Sequence, residues 1–238
     1  MTRRPWIRAV VFDAGHTLLE MDYVTVTAYL RSRGHVVGEA AVIDAERRAR
    51  FRLDVEQATQ LSRERTGQGR YVRYLLDALE ITDEAERRAV AEWRRGFNVP
   101  VGLCHRADRE AAQALRHARD AGLTVGVISN SNGSVQRALE GADLAAQLDF
   151  VIDSSVVGVA KPDPGIFALG LRAAGARPDE TVYVGDSYFV DVVGAQQAGL
   201  GAVLFDPGRL WGERGCPVAT GLCTAVEIVL GNARPVVG

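Results

Sequence analysis

Lysine is almost missing from this chain. Of 28 basic residues in 238, 27 are arginine and one, Lys161, is lysine. A sequence that uses Arg everywhere else puts its one compact, rotatable ammonium where a wide planar guanidinium does not serve. Cysteine is scarce as well. Cys104, Cys216 and Cys223 are an odd set without CxxC spacing. That excludes a dense disulfide framework and a cysteine zinc site, and it fits a reduced, cytoplasmic protein whose thiols are small packing or surface groups. No run approaches the roughly 20 apolar residues of a membrane-spanning helix. The apolar stretch at residues 9–12 stops at Asp13, which is short for the core of a signal peptide. Thirty acidic residues against 28 basic ones leave a net charge of −2, so the basic surplus of a nucleic-acid binder is lacking. Neither a membrane nor a nucleic acid is expected as a partner.

What is present is an ordinary globular composition, 47% apolar and 24% charged, in a chain long enough to bury a core. Short β-rich runs alternate with helical stretches. Residues 7–12, 123–128, 150–152, 181–184 and 201–205 read as buried strands. Asp108 can cap a helix running to Gly122. Asp163 followed by Pro164 is an N-cap with proline in the first turn, and Gly175 closes that helix. Ser187 can start a helix that stops near Gly199. Strand–helix alternation predicts an α/β fold, a doubly wound, Rossmann-like parallel sheet covered on both faces.

Residues 19–104 break the alternation. They hold no convincing strand but show helical patterns at 24–31, 42–63, 71–79 and 84–95, with breakers at Gly34, Gly38, Gly67 and Gly69. Fourteen of the 27 Arg fall here, matched by 14 acids. The expectation is a core of residues 1–18 and 105–238 with an inserted helical cap at 19–104. Runs such as Glu46-Arg47-Arg48 and Glu86-Arg87-Arg88 read as solvated helix faces. Tyr74, Trp93 and Phe97 read as packing within the insertion.

In open parallel sheets ligands bind beyond the carboxyl ends of the strands. The residues just past each strand therefore mark the expected site. Asp13 comes after the first, Ser129 and Asn130 after the second, and Lys161-Pro162-Asp163-Pro164 after the loop beyond the third. Asp186 comes after the fourth, with Asp191 five residues on. Asp13, Asp186 and Asp191 offer hard oxygen ligands for Mg²⁺. Ser129, nearby amides and Lys161 can hold the oxygens of a phosphoryl group. A carboxylate can itself attack phosphorus to give an acyl phosphate.

The four segments FDAGHTLL, VISNS, AKPDP and VYVGDSYFVD, in that order, resemble the four motifs of the haloacid dehalogenase-like hydrolase superfamily. The resemblance covers the whole core, and the insertion falls where that family carries a helical cap. It implies Asp13 as nucleophile, with Ser129 and Lys161 as catalytic phosphate-binding groups. Asn130, beside Ser129, joins them as a substrate-binding residue. It also implies Asp186 as a Mg²⁺ ligand, Asp191 as a ligand or an acceptor behind the ligands, and the backbone carbonyl of Gly15 as a further ligand. The expected substrate is a small phosphorylated metabolite, and the expected assembly a monomer or homodimer.

One departure matters. Phosphatases of this family usually carry a second Asp two residues after the nucleophile, which protonates the leaving group and then activates water. Here that residue is Gly15. General acid–base catalysis is worth roughly 10²–10⁴ in rate. The chain is therefore expected to be a slow phosphatase, or one that needs a good leaving group. His16, a cap residue or water are the candidates for the missing acid, and His16 reads equally as a packed junction residue. Two other branches lack that Asp. Dehalogenases of the family use an Asp nucleophile without metal and carry a Ser-Asn type fourth motif, where this chain has Asp186. Phosphonatases use a cap lysine, and the insertion holds none. A non-catalytic protein binding a phosphorylated ligand or partner is a further alternative, against which the retained Asp13 speaks. A receiver domain is about half this length and places its acidic pair before the acceptor Asp.

Overall fold

The computed structural model describes residues 6–59, 67–96 and 101–231. The chain divides into two compact units, one formed by Met1–Glu20 with Cys104–Gly238, the other by Met21–Leu103.

The first unit is built on β1 (Ala9–Phe12), four apolar residues buried on both faces. Such a strand belongs inside a parallel sheet covered on both sides. The remaining strands of that sheet are β4 (Thr124–Ser129), β5 (Phe150–Asp153), β6 (Thr181–Gly185), β7 (Gly201–Phe205) and β8 (Val218–Ala219). Their order is β5-β4-β1-β6-β7-β8, and every pairing is parallel. β2 (Leu19–Met21) and β3 (Cys104–Ala107) pair in a separate two-stranded sheet. These two short strands lie at the ends of the segment expected to hold none. β8, with two residues, is also absent from the sequence pattern.

Helices α5 (Ala111–Asp120) and α10 (Leu222–Gly231) pack together, as do α8 (Pro164–Ala174) and α9 (Gly194–Gln197). α6 (Val135–Gly141) and the one-turn α7 (Ser154–Val157) are the other α-helices among the described residues of this unit. The end signals act as their chemistry requires. The Asp163 carboxylate accepts from Gly165 N–H, and Gly175 ends α8 in the left-handed region at φ 60°. Asp108 accepts from Glu110 N–H at 2.8 Å, three residues before α5 begins, so it braces the turn ahead of the helix and Glu110 stands at the N-cap position. Gly126 is glycine for a steric reason: the Phe150 ring of the neighbouring strand occupies the place of its Cβ.

The second unit contains α1 (Tyr23–Ser32), α2 (Glu39–Thr59), α3 (Gly67–Ala78) and α4 (Glu84–Gly96). The end of the second predicted helix, residues 60–63, and Phe97 lie outside the described residues. Gly67 and Gly69 open α3 rather than break the chain before it. Val26, Leu30, Val42, Leu75, Leu76 and Val90 form the core of this unit. Tyr29 stacks on Trp93 with ring centroids 4.0 Å apart. The solvated-face expectation fails at Glu46, which is fully buried. Its carboxylate accepts from Arg50 Nε at 2.8 Å, Tyr71 Oη at 3.0 Å and Tyr23 Oη at 3.2 Å, so the buried charge is paired. Glu86 reaches out of its own run to Arg33 at 2.6 Å. No described helix is long and apolar enough to cross a membrane.

Candidate active site

The sheet brings the expected residues to one edge. Phe12 is level with Val127 of β4 and Val184 of β6, so the next residue, Asp13, stands at the carboxyl end of all three strands. Its N–H donates to Val184 O at 2.8 Å, which continues the ladder one step beyond β1. Ser129 is the buried last residue of β4, and Asp186 comes directly after β6.

Lys161 lies at the centre. Its Nζ is 2.8 Å from Asp13 Oδ1, 2.7 Å from Asp191 Oδ1 and 2.8 Å from Tyr183 Oη, to which it donates. Three oxygens surround the ammonium, as many as it has N–H donors. Burial alone would lower the lysine pKa, but the carboxylates of Asp13 and Asp191 outweigh it and hold it above its ordinary value. The side chains of Lys161 and Asp191 are 1% exposed and that of Asp13 is 14% exposed. Of the two carboxylates on the lysine, Asp13 is therefore the one that meets solvent.

Asp191 reaches the lysine from a reciprocally capped turn. Ser187 Oγ accepts from Val190 N–H at 3.2 Å, while Asp191 Oδ2 accepts from Ser187 N–H at 3.0 Å. The segment Tyr188–Val193 is a π-helical turn, in which Val192 N–H bonds the Ser187 carbonyl, where the sequence pattern predicts a regular helix. Both oxygens of Asp191 thus have partners, Lys161 on one side and a backbone amide on the other. Burial, with Asp13 and Asp186 nearby, pushes its carboxyl up to about 7 despite Lys161. Gly185 makes room for it: a Cβ there would lie 2.6 Å from Asp191 Cγ. Gly185→Ala is expected to displace Asp191 from Lys161, lowering the melting temperature and cutting kcat by about tenfold or more, given the cost of disturbing a buried ion pair. Unchanged melting and turnover would contradict that.

Asn130 pairs with the main chain of Lys161. Its amide nitrogen donates to Lys161 O at 2.9 Å, and its amide oxygen accepts from Lys161 N–H at 2.8 Å. The side chain expected on substrate is engaged with both main-chain groups of the lysine. Two further contributors lie inside the four motif segments but are not marked there as site residues. The buried hydroxyl of Thr17 donates to Asp186 Oδ1 at 3.3 Å. Tyr183 Oη, besides accepting from Lys161, donates to Ile128 O at 2.7 Å. Gly15 has no left-handed backbone, and a Cβ placed on it would meet only Cys104 Sγ, at 3.7 Å. His16 is in the left-handed region at φ 59°, with its N–H on Leu19 O at 2.6 Å.

Oxygens of Asp13, Asp186 and Asp191 lie within 4.8 Å of one another. When ionised, the three carboxylates outweigh the one ammonium, and a divalent cation offsets that excess negative charge. The set suits a hard cation held by oxygen.

The surroundings of this site match known proteins. Residues 7–199 match the haloacid dehalogenase-like hydrolase family. The phosphoserine phosphatase of Thermus thermophilus is 42% identical over 100 residues, 42% of this chain and 40% of that protein. The chain thus spans only about two fifths of that relative. Human haloacid dehalogenase-like hydrolase domain-containing protein 3 is 29% identical over 213 residues, 86% of this chain and 84% of that one. Among solved structures, a 2-haloacid dehalogenase from Pseudomonas syringae pv. Tomato DC3000 is 28% identical with a TM-score of 0.56, covering 94% of this chain and 98% of that one. With the family matched across most of its length, the chain belongs to the haloacid dehalogenase-like hydrolases.

Proposed function

We propose that this hydrolase removes phosphate from a small phosphorylated metabolite, with Asp13 as nucleophile and Mg²⁺ as cofactor, and that it works without the usual acid/base carboxylate. The observation that supports this best is Lys161 Nζ held between Asp13 and Asp191, beside a third carboxylate. Asp13 and Asp186 would hold the cation directly with the Gly15 carbonyl, whereas Asp191, with both oxygens engaged, serves Lys161. Bound there, Mg²⁺ supplies charge neutralisation between the carboxylates and the phosphoryl oxygens.

Lys161 fixes one oxygen of Asp13, balances its charge and orients it toward the substrate. An Asp13 oxygen then forms the bond to phosphorus as the bond to the leaving oxygen breaks. Ser129, at the end of β4, and the amides beyond it hold the phosphoryl oxygens. Water next attacks phosphorus, the Asp13–phosphorus bond breaks, and the carboxylate and inorganic phosphate are regenerated. With Gly15 in place of an acid, no side chain at that position protonates the departing oxygen. Leaving groups of low pKa depart as anions, and alkoxides do so slowly.

The test is hydrolysis of phosphate monoesters graded by leaving-group pKa, with Mg²⁺ or chelator, and with Asp13→Asn as the blank. Turnover is expected to need Mg²⁺, to vanish in Asp13→Asn and to fall steeply as leaving groups worsen. No turnover of any ester would sink the reading. A second reading, carbon–halogen hydrolysis, draws on the 28% identity to the Pseudomonas dehalogenase. The carboxylate of Asp186 beside Asp13 speaks against it, and chelator-resistant release of halide from a 2-haloacid would establish it.

A further inference from the structure

We infer that Tyr183 is a positioning residue for Lys161, its hydroxyl setting the third direction of the ammonium and tying it to the strand end that carries Ser129. Tyr183 is fully buried in β6. Its hydroxyl accepts from Lys161 Nζ at 2.8 Å and donates to Ile128 O at 2.7 Å. β4 and β6 are not neighbours in the sheet, because β1 runs between them. The tyrosine side chain therefore bridges two strands across the one that ends in Asp13. Ile128 is the residue before Ser129, so one hydroxyl links the tip of the lysine to the strand end that carries the serine.

The direction of this two-bond relay is fixed. The lysine ammonium only donates and the Ile128 carbonyl only accepts, so the hydroxyl must accept from the first and donate to the second. Burial also pushes the phenol well above its ordinary pKa, which keeps its proton in place for Ile128. The ring is held edge-on by Phe167, with centroids 5.4 Å apart, so its place is set by packing and is not borrowed from the lysine. Asn130 holds the main chain of Lys161 and Tyr183 holds its tip, and the two together leave the ammonium little freedom to follow a moving carboxylate.

A chain with a single lysine makes the idea directly testable. Labelling with lysine carrying nitrogen-15 at Nζ yields one side-chain ammonium signal, and it is that of Lys161. In the wild-type protein this signal is expected to be resolved, with proton exchange at least about tenfold slower than in free lysine. Tyr183→Phe keeps the ring and removes the hydroxyl. It is expected to speed that exchange about tenfold, the scale of one hydrogen bond to a charged group. It is also expected to lower kcat by a similar factor with KM within about twofold. Phe167→Leu loosens the ring's packing but keeps the hydroxyl and both its bonds, and is expected to change the ammonium signal much less than Tyr183→Phe does. A wild-type signal that exchanges like free lysine, an unaltered signal in Tyr183→Phe, or an equal change in Phe167→Leu would each overturn the proposal. Only the effect on kcat rests on the phosphohydrolase reading. The ammonium signal is read without substrate, so it stands or falls independently of what the enzyme hydrolyses.

Discussion

Replacing Gly15 by Asp is expected to raise the turnover of alkyl phosphates by about 10²–10⁴-fold, the contribution of a positioned general acid–base group. The gain should shrink toward nothing for aryl or acyl phosphates, whose leaving groups depart without a proton. The backbone at Gly15 is not in the region that only glycine favours, and a Cβ there meets a single neighbour, Cys104 Sγ, at ordinary contact distance. The substitution therefore costs little in strain, unlike one at Gly185, where the space belongs to Asp191. Gly15→Asn is the control, since it fills the same volume without a titratable proton. The readout is the slope of log kcat against leaving-group pKa, steep in the parent and flattened in Gly15→Asp. A folded Gly15→Asp protein that cleaves aryl phosphate yet leaves the slope unchanged would show that another group already donates the proton.

The same contrast between glycines shows what a sequence discloses and what it withholds. Asp13, Ser129 and Asp186 are legible because each sits at or just past the end of a buried strand, and Lys161 because it closes the loop beyond the next one, and a parallel sheet carries all such positions to one edge. The strands are legible because burial on both faces leaves little but Val, Ile, Leu and Phe in them. Asn130 and Asp191 are visible as residues but not as contacts. Whether an amide faces a ligand or the main chain of Lys161, 31 residues away, depends on tertiary placement. Tyr183 sits inside an apolar run and looks like core. The one available hint is chemical, since a buried phenol needs partners for its hydroxyl. Glu46 misleads for a related reason. Beside two arginines in a charged helix it reads as solvated, yet Arg50 and two tyrosines from other helices enclose it. β8, two residues long, is too short to carry a period.

Lys161 itself carries the second large expectation. Lys161→Met should destabilise the fold, increasingly as pH rises, because Asp191, whose carboxyl is already pushed up to about 7 beside the lysine, must then bind a proton or stay buried as an unpaired charge, a loss of up to about 3–5 kcal/mol. Asp191, 1% exposed, would keep one amide as partner and lose its cation at 2.7 Å. Adding Asp191→Asn to Lys161→Met removes that uncompensated charge and is expected to recover much of the lost stability. It should recover none of the activity, because Asp13 still lacks the group that fixes it and balances its charge. Lys161→Arg should be as inactive as Lys161→Met even though it keeps the charge. Three oxygens converge within 2.8 Å of one nitrogen, and a planar guanidinium cannot offer three donors from a single point. Thermal melting of the single and double variants beside kcat separates the two effects. An active Lys161→Arg enzyme would mean that the solitary lysine of an arginine-rich chain is an accident of composition. An inactive one, folded as well as the parent, would mean that the site demands a point charge, which is why arginine was not used there.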